Sequence, residues 1–156
     1  MLSASYDKIY SRFLSLVEAY DLIDLYNNDK TSAQDLMGEW LGAIKSNPKV
    51  RKLYSSITLN DTDRTVDFTL KKSLGDDQSD IDYVVELFGN GVAWKWVSPK
   101  YLSVLNAGQI IGGKEMQFYS QANHMGQLSN MYTQARTEFF RLVQSYGYIN
   151  NSYIDG

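Results

Sequence analysis

The histidine and the aspartates are the residues of this 156-residue chain whose types could support catalysis or metal binding. Its one histidine, His124, would need a carboxylate to orient it as a general base, and the nearest in sequence is Glu115. We therefore expect a surface or interface histidine. With no cysteine in the sequence, disulfides, thiolate metal sites and a cysteine nucleophile are excluded, and one histidine excludes a His-rich metal centre within one chain.

Three other motifs resemble ligand sites only in part. Asp61, Asp63 and Asp67 have the spacing of a calcium loop, but the glycine at the sixth place and the distal glutamate are missing, so a hairpin turn explains them better. The aspartates of segment 76–82 fit the positive end of a helix dipole. Residues 112–114 (Gly-Gly-Lys) lack the rest of a P-loop. We find no catalytic constellation, and we expect neither an enzyme nor a cofactor or metal.

The charge balance bears on possible partners. Fifteen basic and eighteen acidic residues give a formal net charge of −3, which is poorly suited to gripping nucleic acid through bulk charge. The short basic groups at 49–52 and 71–72 are expected to be solvated faces. The first residues lack the basic start and the apolar run of a signal peptide, so we expect none. No apolar stretch is long enough to predict a membrane span.

Apolar residues at spacings of three and four predict four main helices. The expected spans are about 5–26, from 31 or 32 to 46, 79–97 and 120–146, with a short extra helix after Pro48. Ser79 is the expected N-cap of the third main helix, and Ser98-Pro99 is its expected end. Ser120 is the expected N-cap of the fourth main helix, and Gly147 is its expected C-cap. The inward face of the last helix is predicted to comprise Met125, Leu128, Met131, Tyr132, Ala135, Phe139, Leu142 and Tyr146.

The spacing of apolar residues changes from helical to alternating between the second and third of these helices. Alternating apolar residues predict a small β-hairpin at about 56–72, which must pack on its own helices or on another subunit to be stable. Residues 99–119 show no convincing period and are expected to form a long loop, with a short helix at 101–105 as an alternative. The loop is uncharged between Lys100 and Lys114, so we expect it to cover its own helices or a neighbour.

The expected fold is therefore mainly α. It is a helical bundle of about four main helices with one small β-hairpin insertion and an extended C-terminal tail. Residues 1–146 would form a single helical domain, and residues 147–156 would form a tail that docks into a partner.

The last predicted helix has few charges for its length. Residues 120–146 carry only Arg136, Glu138 and Arg141, and amides supply the polarity. Amide groups can be buried with hydrogen bonds at less cost than full charges. We therefore expect subunit contacts through the amides of this helix and the apolar residues of the loop, namely Gln121, Asn123, Gln127, Asn130, Gln134, Leu105, Ile110 and Ile111.

Three segments of the second half resemble a known family. Residues 82–100 (DYVVELFGNGVAWKWVSPK) are similar to its helix, Trp, Leu/Val-x-Pro stretch, and residues 113–124 (GKEMQFYSQANH) to its (G)GK-x-x-(K/Q)-(F/Y)-(F/Y)-S-x-A-N segment. Residues 146–151 (YGYINN) match its YGYINNP ending, except that Ser152 replaces the proline. The family is that of head–tail connector (adaptor) proteins of the tailed-bacteriophage neck. The resemblance covers about residues 80–153, and residues 1–75 match no family known to us.

This resemblance implies a structural virion protein. Its helical subunits, about twelve to a ring, would dock on the portal protein and extend the DNA channel. The implied partners are the portal protein, further copies of itself, a downstream neck or tail protein, and passing genomic DNA that is bound without sequence specificity; no membrane is involved. The implied location is the virion neck, with the host cytoplasm during assembly. The portal-docking residues would be Gly147, Tyr148, Ile149, Asn150, Asn151, Tyr153 and Ile154.

Other functions remain open from the sequence. The chain could be a stopper-like or tail completion protein, although those are more often β-rich. It could be a small enzyme or ligand-binding domain that uses His124. It could also be a non-viral helical protein-interaction module, which would act as a monomer or dimer rather than a ring.

Overall fold

Helices and a small sheet make up the chain in the computed structural model, which describes the backbone of residues 1–17, 27–110 and 115–149 and the side chains of residues 1–17, 27–99 and 129–146. In order along the chain, the elements are β1 Leu2–Ser5, α1 Tyr6–Leu16, α2 Lys30–Lys45, α3 Pro48–Arg51, β2 Tyr54–Asn60, β3 Thr65–Leu70, α4 Asp77–Ile110 and α5 Glu115–Ile149. The mainly α class with a β insertion is confirmed.

The sheet contains the predicted hairpin and one strand more. β3 is the central strand and pairs antiparallel with β2 on one side and with β1 on the other, so that Phe68 lies opposite both Ile57 and Leu2. The inward side chains of all three strands join one core with the helices. The hairpin therefore packs on its own helices. β1 was not predicted, because a four-residue strand next to a helix start leaves too short an alternation to recognise.

The starts of the first three helices follow local capping rules. Ser5 accepts a hydrogen bond from the Asp7 N–H (3.1 Å) and caps α1. Asp29, rather than Thr31 or Ser32, caps α2 and accepts from the Ser32 N–H (3.2 Å). Asn47 caps the short α3, which the Asn-Pro pair predicts. The predicted continuation of the first helix over 18–26 lies outside the described residues.

The predicted loop at 99–119 is wrong, because both long helices extend into it. α4 passes through Pro99 to Ile110, and α5 begins at Glu115 rather than at Ser120. A proline inside a helix removes one backbone donor. In the turn just before it, Ser98 Oγ donates to the Trp94 carbonyl (2.6 Å).

The extended tail is also corrected in part. α5 continues to Ile149, so Gly147 does not end the helix and the first three residues of the predicted tail are helical. Glycine in a helix costs only about 1 kcal/mol relative to alanine, and the buried Tyr146 in the same turn outweighs that cost. The remaining tail residues, 150–156, lie outside the described residues.

α4 and α5 form an antiparallel pair that carries much of the core. The rings of Tyr83 and Tyr146 stack at one end with centroids 5.5 Å apart, and Trp94 lies 5.5 Å from Phe139 further along. Phe13 of α1 packs edge to face on Trp96 of α4 and on Trp40 of α2, so it joins the pair to both shorter helices. α4 has 34 residues and α5 has 35, so each is about 50 Å long. Both continue well beyond the described part of the core, which on these two helices spans residues 81–97 and 131–146.

Two glycines allow three helices to approach α4 closely. A Cβ built on Gly89 would lie 2.9 Å from Arg12 Cγ of α1. A Cβ built on Gly91 would lie 2.8 Å from Ile44 Cδ1 of α2 and 3.1 Å from Phe139 Cε2 of α5. These glycines weaken a helix in isolation, but here the absence of a side chain sets the distance between helices.

We predict that Gly91→Ala lowers the free energy of unfolding by about 1–2 kcal/mol, because the added methyl overpacks Ile44 and Phe139, which are both fully buried. Gly42→Ala is the matched control, since a Cβ there meets nothing within 4 Å, and it should raise stability by about 0.5–1 kcal/mol. Urea denaturation of both variants measures the difference. Equal effects of the two substitutions would contradict this role of Gly91.

Tyr146 anchors the end of α5 to the chain after the sheet. Its hydroxyl donates to the Lys72 carbonyl (2.7 Å) and accepts from the Lys72 N–H (2.8 Å). Its neighbour Tyr83 donates to the Leu142 carbonyl (2.8 Å). By contrast, the hydroxyl of Tyr54 is buried with no hydrogen-bond partner in the described structure, and burial raises the pKa of that group well above its usual value.

We predict opposite outcomes for two Tyr→Phe substitutions at these buried positions. Tyr146→Phe removes the two hydrogen bonds between this hydroxyl and the Lys72 backbone and should cost about 1–3 kcal/mol of stability. Tyr54→Phe removes a buried hydroxyl that has no partner and should be neutral or stabilising. Thermal and chemical unfolding test both, and a larger loss at Tyr54 than at Tyr146 would show that this hydrogen-bond assignment is wrong.

Candidate interaction surface

The structure describes two of the predicted interface side chains, and both are exposed. Asn130 and Gln134 lie on the outer face of α5, while Ala135, Phe139 and Val143 on its inner face are buried. The outward-facing residues of α5 therefore include these two amides, and their role in subunit contacts stays a prediction. The other predicted positions on these helices have a described backbone only: Leu105 and Ile110 in α4, and Gln121, Asn123 and Gln127 in α5. Ile111 lies outside the described residues.

Gln134 lines a groove with a volume of about 520 Å³. The groove lies between the end of α1, the middle of α4 and the outer face of α5. Its apolar lining includes Leu16, which is 36% exposed, and Ala93. The rest of the lining is Arg12, Val17, Asn90, Met131, Thr133, Ala135, Thr137 and Glu138. A surface with apolar contacts and neutral hydrogen-bonding groups suits a polypeptide partner.

The charges at this groove are paired. Arg12 Nε lies 2.8 Å from Glu86 Oε1, and Asn90 Nδ2 donates to the Glu86 carbonyl (2.8 Å) and carboxylate (3.0 Å). On α5, Arg141 binds Glu138 through two hydrogen bonds, and these, together with the positive charges of Arg141 and Arg12, lower the pKa of the Glu138 carboxyl. Both ion pairs are partly exposed, so each contributes little to stability. They leave the groove without a free charge that would oppose docking.

A second surface was not singled out by the sequence, and only the fold assembles it. Phe140 of α5 and Trp94 of α4 contact edge to face, with centroids 5.4 Å apart. Lys49 Nζ of α3 lies 5.0 Å and Arg136 Cζ of α5 lies 5.1 Å from the centroid of Phe140, and Lys95 Nζ lies 5.0 Å from that of Trp94. We call these five residues the basic–aromatic patch.

The cations of the basic–aromatic patch form no ion pair within the described part of the chain. Lys49 and Arg136 are exposed, while Lys95, Trp94 and Phe140 are half-buried. From its sequence context, Lys49 is expected to belong to a solvated face. One signal was present: Arg136 is one of only three charges in residues 120–146, yet no partner for it could be assigned before the fold was known.

The acidic motifs have structural roles. Asp61 accepts from the Tyr6 hydroxyl (2.9 Å), and Asp63 accepts from Asn60 Nδ2 (3.0 Å) beside the β2–β3 turn. Asp76, rather than Ser79, caps α4, because its Oδ1 accepts from the Ser79 N–H (2.7 Å), and this lowers the pKa of its carboxyl. These bonds fit the hairpin and helix-start explanations of both motifs. The side chain of His124 lies outside the described residues.

Asp67 stands at the centre of the sheet's polar face. Its Oδ1 accepts from Ser3 Oγ of β1 (2.6 Å) and Thr65 Oγ1 of β3 (2.8 Å), and these bonds lower the pKa of its carboxyl. Because the folded-state pKa lies below the unfolded value of about 3.9, the carboxylate stabilises the fold above that pH. The stabilisation is lost as the pH falls through the folded-state pKa.

We predict that Asp67→Asn lowers stability at pH 7 and that the difference from the unsubstituted protein shrinks as the pH falls below about 4. Urea denaturation at several pH values measures it. Asp35→Asn, at an exposed carboxylate with no hydrogen bond in the described structure, is the control and should leave the stability at pH 7 unchanged. A constant difference for Asp67→Asn across the whole pH range would rule out the titration.

Within the described residues, no group of three or more His, Asp or Glu side chains is placed to hold a metal ion. In the same part of the chain, no helix combines the length and the apolar character needed to cross a bilayer.

Comparison with known proteins adds no assignment. No protein-family model matches the chain, and neither the curated proteins nor the solved structures include a match.

Proposed function

We propose that this chain is a structural virion protein of a tailed-bacteriophage neck. In this proposal it is a head–tail connector (adaptor) subunit, and its copies form a ring that docks on the portal and extends the DNA channel. Residues 150–156, together with the helical end of α5, attach each subunit to the portal. The protein acts by assembly and uses no catalytic residue or cofactor.

The observation that carries the proposal is where the family motifs fall in the fold. Residues 82–100 lie within α4, residues 115–124 of the second motif begin α5, and residues 146–149 of the third end it. All three resembling segments thus belong to the antiparallel α4–α5 pair and the residues that join or follow it. A resemblance that follows one structural unit has more weight than the same motifs scattered over the surface.

The surface of α5 supports an assembling protein. Asn130, Thr133, Gln134 and Thr137 are exposed, and the last three line the groove together with Leu16 and Met131. In a cyclic ring each subunit uses two different surfaces, because the contact is heterologous. This helix face is neutral and hydrogen-bonding, and the charges that line the groove, Arg12 and Glu138, are already paired, so the surface suits such a contact.

Deletion of residues 150–156 tests portal docking. It leaves α5 and the Tyr146 anchor intact, so we expect the same melting temperature as the full chain. We expect loss of binding to purified portal rings of the phage that encodes the chain, measured by cosedimentation. The ring of subunits should still form in the absence of portal.

A second variant replaces Tyr153 and Ile154 with serine and keeps the length of the chain. It should lose portal binding as the deletion does, because we assign docking to the apolar side chains of the tail. If both variants bind portal rings at the occupancy of the full chain, the docking role of the tail is wrong. If the full chain itself neither forms rings nor binds portal, the connector function is wrong.

A further inference from the structure

The basic–aromatic patch carries three positive charges on a chain whose net charge is −3. Its cations come from α3, α4 and α5, so the fold, and not a local charge run, places them together. Contact with the ring faces of Phe140 and Trp94 limits where the cations can move. Two of the three cations, Lys49 and Arg136, are exposed, and none of the three has a carboxylate partner in the described part of the chain, so the patch suits an acidic partner.

A complementary surface lies on α2 of the same chain. Its inward residues are Ala33, Met37, Leu41 and Ile44, all buried. The opposite face carries Asp35 and Glu39, one turn apart, both exposed and without an ion pair in the described structure. Gly38 and Gly42 lie on the same face, and a Cβ on either would meet no atom within 4 Å. Because these two glycines have no side chain, another chain can approach the carboxylates of this acidic face closely.

We propose that the basic–aromatic patch of one copy binds the acidic face of α2 in the next copy. The inference rests on the proposed function, because a ring joins two different surfaces of identical subunits. Opposite charges on those two surfaces favour the head-to-tail contact. They also disfavour a two-fold dimer that would place patch against patch or acidic face against acidic face.

Charge reversal on each surface, followed by a swap, tests this pairing. Lys49→Glu with Arg136→Glu should raise the protein concentration at half assembly by at least about tenfold, and Asp35→Lys with Glu39→Lys should do the same, because like charges then face each other. The four substitutions together restore opposite charges and should return assembly to within about threefold of the unsubstituted chain. Sedimentation velocity and native mass spectrometry over a concentration series give the assembled fraction.

A matched control separates this contact from net charge. The control variant carries Lys8→Glu and Lys71→Glu. Both lysines are exposed and lie outside the patch, so this variant should assemble as the unsubstituted chain does. Circular dichroism of each variant checks folding. The acidic-face variant tests the same contact from its other side and carries no substitution in the patch, so the test survives if the patch variant folds poorly.

Each remaining outcome has a definite meaning. Rings that form normally with the reversed patch, or a fourfold variant that assembles no better than either double variant, would overturn the pairing and leave the connector function standing. Loss of duplex DNA binding by the reversed patch, with no rescue by the fourfold variant, would assign the patch to phosphate groups instead. A full chain that stays monomeric at every concentration would overturn the pairing, and it would overturn the connector function as well only if the chain also fails to bind portal rings.

Discussion

The close approach of three helices to α4 is the constraint on which the rest of the structure depends. Gly89 admits α1 beside Arg12, and Gly91 admits α2 and α5 through Ile44 and Phe139. This spacing brings Trp94 of α4 next to Phe140 of α5, and it places the groove where α1 meets the two long helices. The two glycines, which have no side chain, thus determine which surfaces the molecule presents.

Much of the fold could be predicted because its elements have strong local signals. The α2 apolar face, the short α3 and the hairpin follow from periodicity and capping, and Tyr146 was expected on the inner face of the last helix. The loop at 99–119 was wrong because Pro99 was given too much weight. A proline in a helix is tolerated when tertiary packing on the preceding turns holds the helix, as the buried Trp96 and Val97 do here.

The candidate surfaces were harder to predict, because they join residues that are distant in sequence. The amides of the last helix were predicted as contact residues from composition alone; Asn130 and Gln134 are exposed, and the contacts themselves stay a prediction. The basic–aromatic patch was missed, since no local pattern places Lys49 beside Phe140. Charge patterning within one helix is readable from sequence, whereas complementarity between faces needs the packing of the helices.

The central claim is that this chain acts as one of many identical subunits around the axis of a phage neck. Cryo-electron microscopy of the virion neck, with density assigned to this sequence, tests it most directly. We expect a closed ring of copies directly below the portal, with the C-terminal end of α5 turned toward it. A virion neck that lacks this chain, or that holds it as a single copy away from the portal, would show that the proposed function is wrong.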